Sequence, residues 1–452
     1  MDFAEGQKLI KQKQFGKALE FFLKKEKEKI KNHKIFFSLG LIYFELNNFN
    51  KSNHYYDKFL KIEPKSTAAL LNLAILKQTM GELKIAREIY IKLIRENKSN
   101  VRAYYGIYTL NPNLLTKSFY INLNQLYKSK KFNYFEKGII EFLLSKNEKK
   151  NKKFEKELEY LKNSHLNIFK SNFSYNQSSQ FYYNKVIKHH YNKIKIVKNE
   201  QQGKNIKTND IEPIYIIGLP RSGSTLIESI LTSGTDKLTS FGESNIVNVS
   251  VLDQVAPNIY SGVFDDKNFD FKLDYKILKE NILNRYSQYS SIENIRFIDK
   301  SLENFFNIEA IIQVFPKAKF LHTFRSSKDS VLSIYQSMLA DLSWTHSIDD
   351  ILNYIDCYLK VINYYKLKYP DNIFDVNLEN LTHNSEEVTK KIFEFCNIKW
   401  SINVLNFYKR RDLFSKTLSL SQVRSKVSKY NQKKYQPYFY LLDNFKNKYK
   451  WL

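Results

Sequence analysis

Gly218-Leu-Pro-Arg-Ser-Gly-Ser-Thr225 brings two glycines, one arginine and three hydroxyls into eight residues. Its G-x-x-x-x-G-x-T spacing is that of a loop that cradles phosphate, with Ser224 where a nucleotide triphosphatase carries lysine. The glycines let backbone N–H groups approach an anion, and a helix starting near Gly223 adds its partial positive charge. Without the lysine, the fixed charge must come from Arg221, whose planar fork suits tetrahedral oxyanions. The loop therefore suits a phosphate or a sulfate-bearing group, and taken alone it also leaves a phosphotransferase open.

About a hundred residues on, Phe324-Arg325-Ser-Ser-Lys-Asp-Ser-Val-Leu-Ser333 repeats the order of strand end, turn and helix. Arg325 at the strand end and Ser333, two turns into the helix, reach one anion from two sides. Two anion sites at neighbouring strand ends require a ligand with two phosphate-like groups. The histidines promise less. His322 lies within a strand, His189 and His190 lie in a basic helical stretch, and no pair has metal-ligand spacing with carboxylates or cysteines, so no metal is expected.

Elements that can hold these residues are legible around them. IYIIG (214–218), IRFID (295–299), AKFLHTF (318–324) and NIFDV (372–376) read as buried strands separated by helical periodicity. Strands separated by long crossovers imply a parallel sheet with helices on both faces, whose ligands sit beyond the carboxyl ends of the strands. This α/β domain is expected at 210–452. Before it, 201–213 is polar, carries Gly203 and Pro213, and reads as a boundary.

The first hundred residues repeat with a step of 34. It aligns Gly6, Gly40 and Ala74, then Ala18, Ser52 and Ala86, then Phe22, Tyr56 and Tyr90, with Pro64 closing one repeat. Small residues where paired helices touch, and aromatics that plug the next pair, are the tetratricopeptide pattern. An all-α solenoid is expected over 1–110, its inner groove suited to a peptide or partner protein. From 111 to 205 the repeat decays into a lysine-rich helical capping and connecting region.

With 452 residues the chain exceeds one ordinary core. Its formal charge of +26 suits an anionic ligand, but the lysines are dispersed and accompanied by no nucleic-acid motif, so no nucleic-acid partner is expected. Cys357 and Cys396 cannot build a disulfide framework and read as buried thiols. With no signal peptide and no long apolar run, the reading is a soluble, cytoplasmic protein without a transmembrane segment.

GLPRSGST followed by FRSSKDSVLS resembles the two nucleotide-binding motifs of the sulfotransferases, over roughly residues 213–430. With the repeats in front, the sequence is similar to the bacterial tetratricopeptide-repeat sulfotransferases, related to tyrosylprotein sulfotransferases. The fold this implies is a P-loop-like parallel-sheet sulfotransferase domain behind the solenoid. The implied donor is 3′-phosphoadenosine 5′-phosphosulfate, its 5′-phosphosulfate on Arg221, Ser222, Gly223, Ser224 and Thr225 and its 3′-phosphate on Arg325 and Ser333. Glu243, in Phe241-Gly-Glu-Ser244, matches the family's Gly-Glu element and is implied as general base. Lys300 matches the family's strand-end lysine, which stabilises the bridging oxygen as the S–O bond breaks. Thr417-Leu-Ser-Leu-Ser-Gln-Val-Arg424 resembles a further family segment, with Leu418 in place of alanine and Lys426 where a proline usually stands; it makes Arg424 a further 3′-phosphate ligand. Glu379, in Asn377-Leu-Glu-Asn-Leu381, reads as a support behind the site. Some sulfotransferases use a catalytic histidine, and His346 is the position held for that role. A protein or peptide acceptor, on tyrosine and presented by the repeats, completes the implied function. Two other readings stand beside it: a phosphotransferase, with Asp299 as its magnesium ligand, and a scaffold without activity.

Overall fold

The computed structural model describes residues 3–28, 32–129, 131–188, 191, 211–234, 238–255, 273–289, 296–410 and 424–452. The chain divides into two compact units, one mainly of Met1–Tyr160 and the other mainly of 161–452.

The first unit is helical. Phe3–Lys11, Phe15–Lys27, Lys34–Glu45, Phe49–Ile62, Thr67–Thr79, Leu83–Glu96 and Val101–Leu110 follow one another, each packed on its predecessor. Asn48 and Asn100 start two of these helices, their side chains accepting from Lys51 N and Ala103 N at 3.2 Å each. The sequence columns meet in space. The Gly6 backbone faces the Phe22 ring, and the Gly40 backbone faces Tyr56, where an added Cβ would lie 2.8 Å from the ring. Ser52 Oγ donates to Gly40 O at 2.7 Å in the same contact. None of the described helices is long and apolar enough to cross a membrane.

The second unit is built on a five-stranded sheet: β1 (Ile214–Gly218), β2 (Thr239–Ser240), β3 (Phe297–Asp299), β4 (Lys319–Phe324) and β5 (Ile373–Asn377). The order is β2-β3-β1-β4-β5 and every pairing is parallel. The four strands marked in the sequence form; the edge strand β2 is two polar residues long and gave no apolar signal. β1 is buried at every position, as a central parallel strand covered on both faces must be. Ile214 and Ile216 face Ile227, Ile230 and Leu231 of the helix Ser224–Leu231 and Ile392 and Phe393 of Ser385–Phe395. Tyr215 turns to the other face and stacks on Phe320, ring centroids 5.5 Å apart.

Because β1 has β3 on one side and β4 on the other, the chain leaves β1 where the strand order reverses. In open parallel sheets such a position is where ligands bind, beyond the carboxyl ends of the strands. Helical residues before the sheet also belong to this unit: Gln180 Nε2 donates to Asp350 Oδ2 at 2.9 Å and Tyr183 OH to Glu303 Oε2 at 2.7 Å. Cys357 and Cys396 are free and buried.

Candidate active site

β1 ends at Gly218, paired in register with Thr323 of β4. Gly218 has φ +137°, and a Cβ there would overlap the Thr323 carbonyl oxygen, so only glycine lets the two strand ends lie this close. The turn then passes through Arg221, a non-glycine residue at φ +68°, and Gly223 at φ +94°, which is the N-cap of the helix Ser224–Leu231. A side chain held in the left-handed region is uncommon and costs about 1 kcal/mol or more. Ser222 Oγ lies 2.6 Å from both Leu219 O and Thr323 Oγ1, and Thr323 Oγ1 donates to Ile217 O at 3.2 Å. The loop after β1 is thereby stitched to the strand that delivers Arg325. Ser222, Ser224 and Thr225 are buried.

Arg325 follows β4 and is nine-tenths buried. Its Nη2 donates to Asp329 O at 3.0 Å, its Nη1 lies 3.4 Å from Tyr430 OH, and its Nε has no hydrogen-bond partner among the described residues. The guanidinium also packs on the rings of Tyr430 and Tyr435, at 5.8 and 5.4 Å from their centroids. The Asp329 carboxylate is taken up by the Tyr430 hydroxyl. Ser333, on the helix Ser327–Tyr335 that follows, is buried as well. Burial would raise the Tyr435 hydroxyl, but Lys434, Arg325 and the Ser333 hydroxyl outweigh it and hold Tyr435 below its ordinary value. Glu379 Oε1 accepts from Ser326 N at 2.8 Å and fixes the turn after β4 from behind.

On the other flank, Lys300 follows β3. Main-chain bonds extend the ladder past the strands: Phe241 N donates to Ile298 O and Lys300 N to Gly242 O, each at 2.9 Å. This places Glu243 beside Lys300, with Oε1 2.7 Å from Nζ. Glu228, on the helix after the loop, reaches the same ammonium from behind at 3.6 Å. The Lys300 side chain is 1% exposed, Glu228 13% and Glu243 57%, so Glu243 is the member of the trio that faces solvent. Burial alone would lower Lys300, yet the carboxylates of Glu228 and Glu243 outweigh it and hold the ammonium above its ordinary value. Burial lifts Glu228 above the usual carboxylate range against the pull of Lys300 and the Ser240 hydroxyl.

The structure thus brings Arg221 to Thr225, Lys300, Glu243, Arg325 and Ser333 to one edge of the sheet. Residues 417–423 lie outside the described residues; Arg424 is half-buried, and burial draws its guanidinium below its ordinary value. His346 is buried with Nδ1 3.2 Å from His165 Nδ1 and the Phe169 ring at 6.0 Å, and burial pulls it down to about 4. His322 is buried within β4, its Nδ1 2.7 Å from Asp375 Oδ1 on β5. Among the described residues no group of three or more His, Cys, Asp or Glu side chains could hold a metal ion. Reasoning from sequence missed Glu228, Tyr430 and Tyr435. Glu228 had a signal, being the only charge in the apolar helix STLIESIL; the tyrosines had none.

Residues 213–401 match the model of the sulfotransferase family. The matched stretch lies mainly within the second unit and takes in the loop after β1, Lys300 and Arg325. An uncharacterized protein of Aquifex aeolicus (strain VF5) is 28% identical over 242 residues, 50% of this chain and 30% of that protein. The Sol locus transcriptional repressor of Clostridium acetobutylicum is 30% identical over 77 residues, 17% of this chain and 24% of the repressor. The chain thus spans about a quarter to a third of the length of these relatives. Among solved structures, the sulfotransferase domain from the Synechococcus PCC 7002 olefin synthase aligns at 18% identity with a TM-score of 0.32, covering 50% of this chain and 92% of that one.

Proposed function

We propose that the protein transfers a sulfuryl group from 3′-phosphoadenosine 5′-phosphosulfate to an acceptor hydroxyl. The observation that supports this is the pairing of Gly218 with Thr323, which brings the turns after β1 and β4 to the same carboxyl end of the sheet; in this reading Arg221–Thr225 take the 5′ side of the donor and Arg325 and Ser333 the 3′ side. Glu243 takes the acceptor proton as the acceptor oxygen bonds to sulfur. The bond from sulfur to the bridging phosphate oxygen breaks, and its electron pair leaves on adenosine 3′,5′-bisphosphate. Lys300 and Arg221 offset that charge.

The acceptor in this reading is a protein or peptide, on tyrosine, presented by the helical unit as a tetratricopeptide-type solenoid, in a cytoplasmic protein. Support for the presenting role is the recurrence of glycine-on-aromatic contacts between successive helices, Gly6 on Phe22 and Gly40 on Tyr56. A phosphotransferase would want Asp299 for magnesium. That carboxylate is buried and accepts from Ser244 Oγ at 2.6 Å, Ser301 N at 2.8 Å and Asn304 Nδ2 at 3.3 Å, so it is committed to shaping the turn after β3.

The test has two steps. Titration calorimetry should show adenosine 3′,5′-bisphosphate binding more tightly than ATP–magnesium; the opposite order defeats the donor assignment. Labelled donor with host lysate should then label an acceptor in a manner lost in Glu243→Ala and Arg221→Ala. Equal labelling by both variants removes the residue roles.

A further inference from the structure

Lys300 is one ammonium shared by two carboxylates on different elements, and their surroundings differ. Glu243 sits on the turn after β2, more than half exposed, at 2.7 Å from Nζ. Glu228 sits on the helix Ser224–Leu231, nearly covered, at 3.6 Å. Ser240 Oγ donates to Glu228 Oε1 at 2.6 Å, and Gly242 N donates to Ser240 Oγ at 3.2 Å, so Glu228 is tied through Ser240 to the turn that carries Glu243. Of the other charged groups next to Lys300, Asp299 is engaged by Ser244, Ser301 and Asn304.

With both carboxylates ionised, the trio carries one negative charge in excess. Once Glu243 holds the acceptor proton, it no longer balances the ammonium. A buried ammonium without a carboxylate would be driven to release its proton and could not then oppose charge on a departing oxygen.

We propose that Glu228 is a positioning residue of this site: it holds the Lys300 ammonium at the end of β3 while Glu243 turns to the acceptor and takes its proton. The inference rests on the sulfuryl-transfer reading for its place in the reaction. The restraint on Lys300 can be read without it. Burial and the two carboxylates act in opposite directions on Lys300, and the carboxylates prevail. With Glu243 neutral, Glu228 alone must keep that balance.

The experiment follows the Lys300 13Cε signal on lysine-labelled full-length protein, assigned by its loss in Lys300→Arg. Glu243→Gln imitates the protonated base. In it Lys300 should still titrate at or above the value of free lysine, and adding Glu228→Gln should move the titration clearly to lower pH. A double variant that titrates like Glu243→Gln overturns the proposal. In the single variant Glu228→Gln, transfer at pH 9 should fall about tenfold with donor KM within about twofold, and the alkaline limb of kcat should move to lower pH. Glu228→Asp should restore part of the rate, whereas mere loss of packing would leave the limb in place. If the lysine signal shifts as expected but no acceptor is ever sulfated, the restraint stands and the transfer reading fails. If transfer occurs with an unmoved alkaline limb in Glu228→Gln, the restraint fails and the transfer reading stands.

Discussion

The two flanks of the central loop handle positive charge in opposite ways. Beyond β4, the Arg325 guanidinium is packed against two neutral tyrosine rings, and the nearby Asp329 carboxylate is engaged by Tyr430. Beyond β3, the Lys300 ammonium lies between two carboxylates. Arginine does not deprotonate in proteins and can hold an anion across a wide pH range; a compensated lysine beside an exposed carboxylate suits charge that appears only during reaction. In the sulfuryl-transfer reading proposed above, the difference separates holding from chemistry within about one strand spacing on either side of β1.

The sharpest way to break this division is kinetic. Glu243→Gln should lower the transfer rate by about 10²–10⁴-fold and leave adenosine 3′,5′-bisphosphate affinity within about threefold. Arg325→Gln should do the reverse, weakening that affinity by about a hundredfold, as expected for a charge-assisted contact made in a buried site. Affinity lost in both variants alike would erase the distinction.

Stability against alkali sharpens the same contrast. Lys300→Met leaves Glu228 and Glu243 facing each other without their cation and should cost about 3–5 kcal/mol at pH 8, measured by urea unfolding. Folding raises Lys300 above its unfolded value, so its stabilisation is fully present below the unfolded value near 10.5 and is lost as pH rises through the folded one. The gap between wild type and Lys300→Met should therefore close at high pH. Arg325→Gln should show no such alkaline closing.

The smallest effect concerns the loop itself. Arg221→Gly and Arg221→Ala should both lose donor-analogue binding, but the glycine variant should be more stable than the alanine one by about 1 kcal/mol, since only glycine is unstrained at φ +68°. Equal melting temperatures would show that the turn relaxes once the side chain is gone.

Much of the sheet was legible because a central parallel strand has to be apolar at every position, and IYIIG is. The turn after it was legible because Gly218 and Gly223 mark a strand-to-helix turn, and both stand at positive φ in the structure. What stayed hidden is non-local. Nothing in the run from Lys426 to Pro437 announces that Tyr430 and Tyr435 meet an arginine about a hundred residues earlier. Glu228 could be seen as an odd charge in an apolar helix, but its partner became visible only once β2 and β3 were side by side. β2 itself escaped because two polar residues carry no periodicity. His322 was rightly placed in a strand, and its cross-strand pairing with Asp375 gives it structural work there.

The bonds from Phe241 N to Ile298 O and from Lys300 N to Gly242 O fix the acid–base pair through the main chain. Chain length in these two short runs is therefore constrained. One inserted residue between 239 and 243 would break the register of the bonds that set Glu243 beside Lys300. Variation in these two runs thus meets its tightest limit in insertions and deletions, which shift the main-chain bonds themselves.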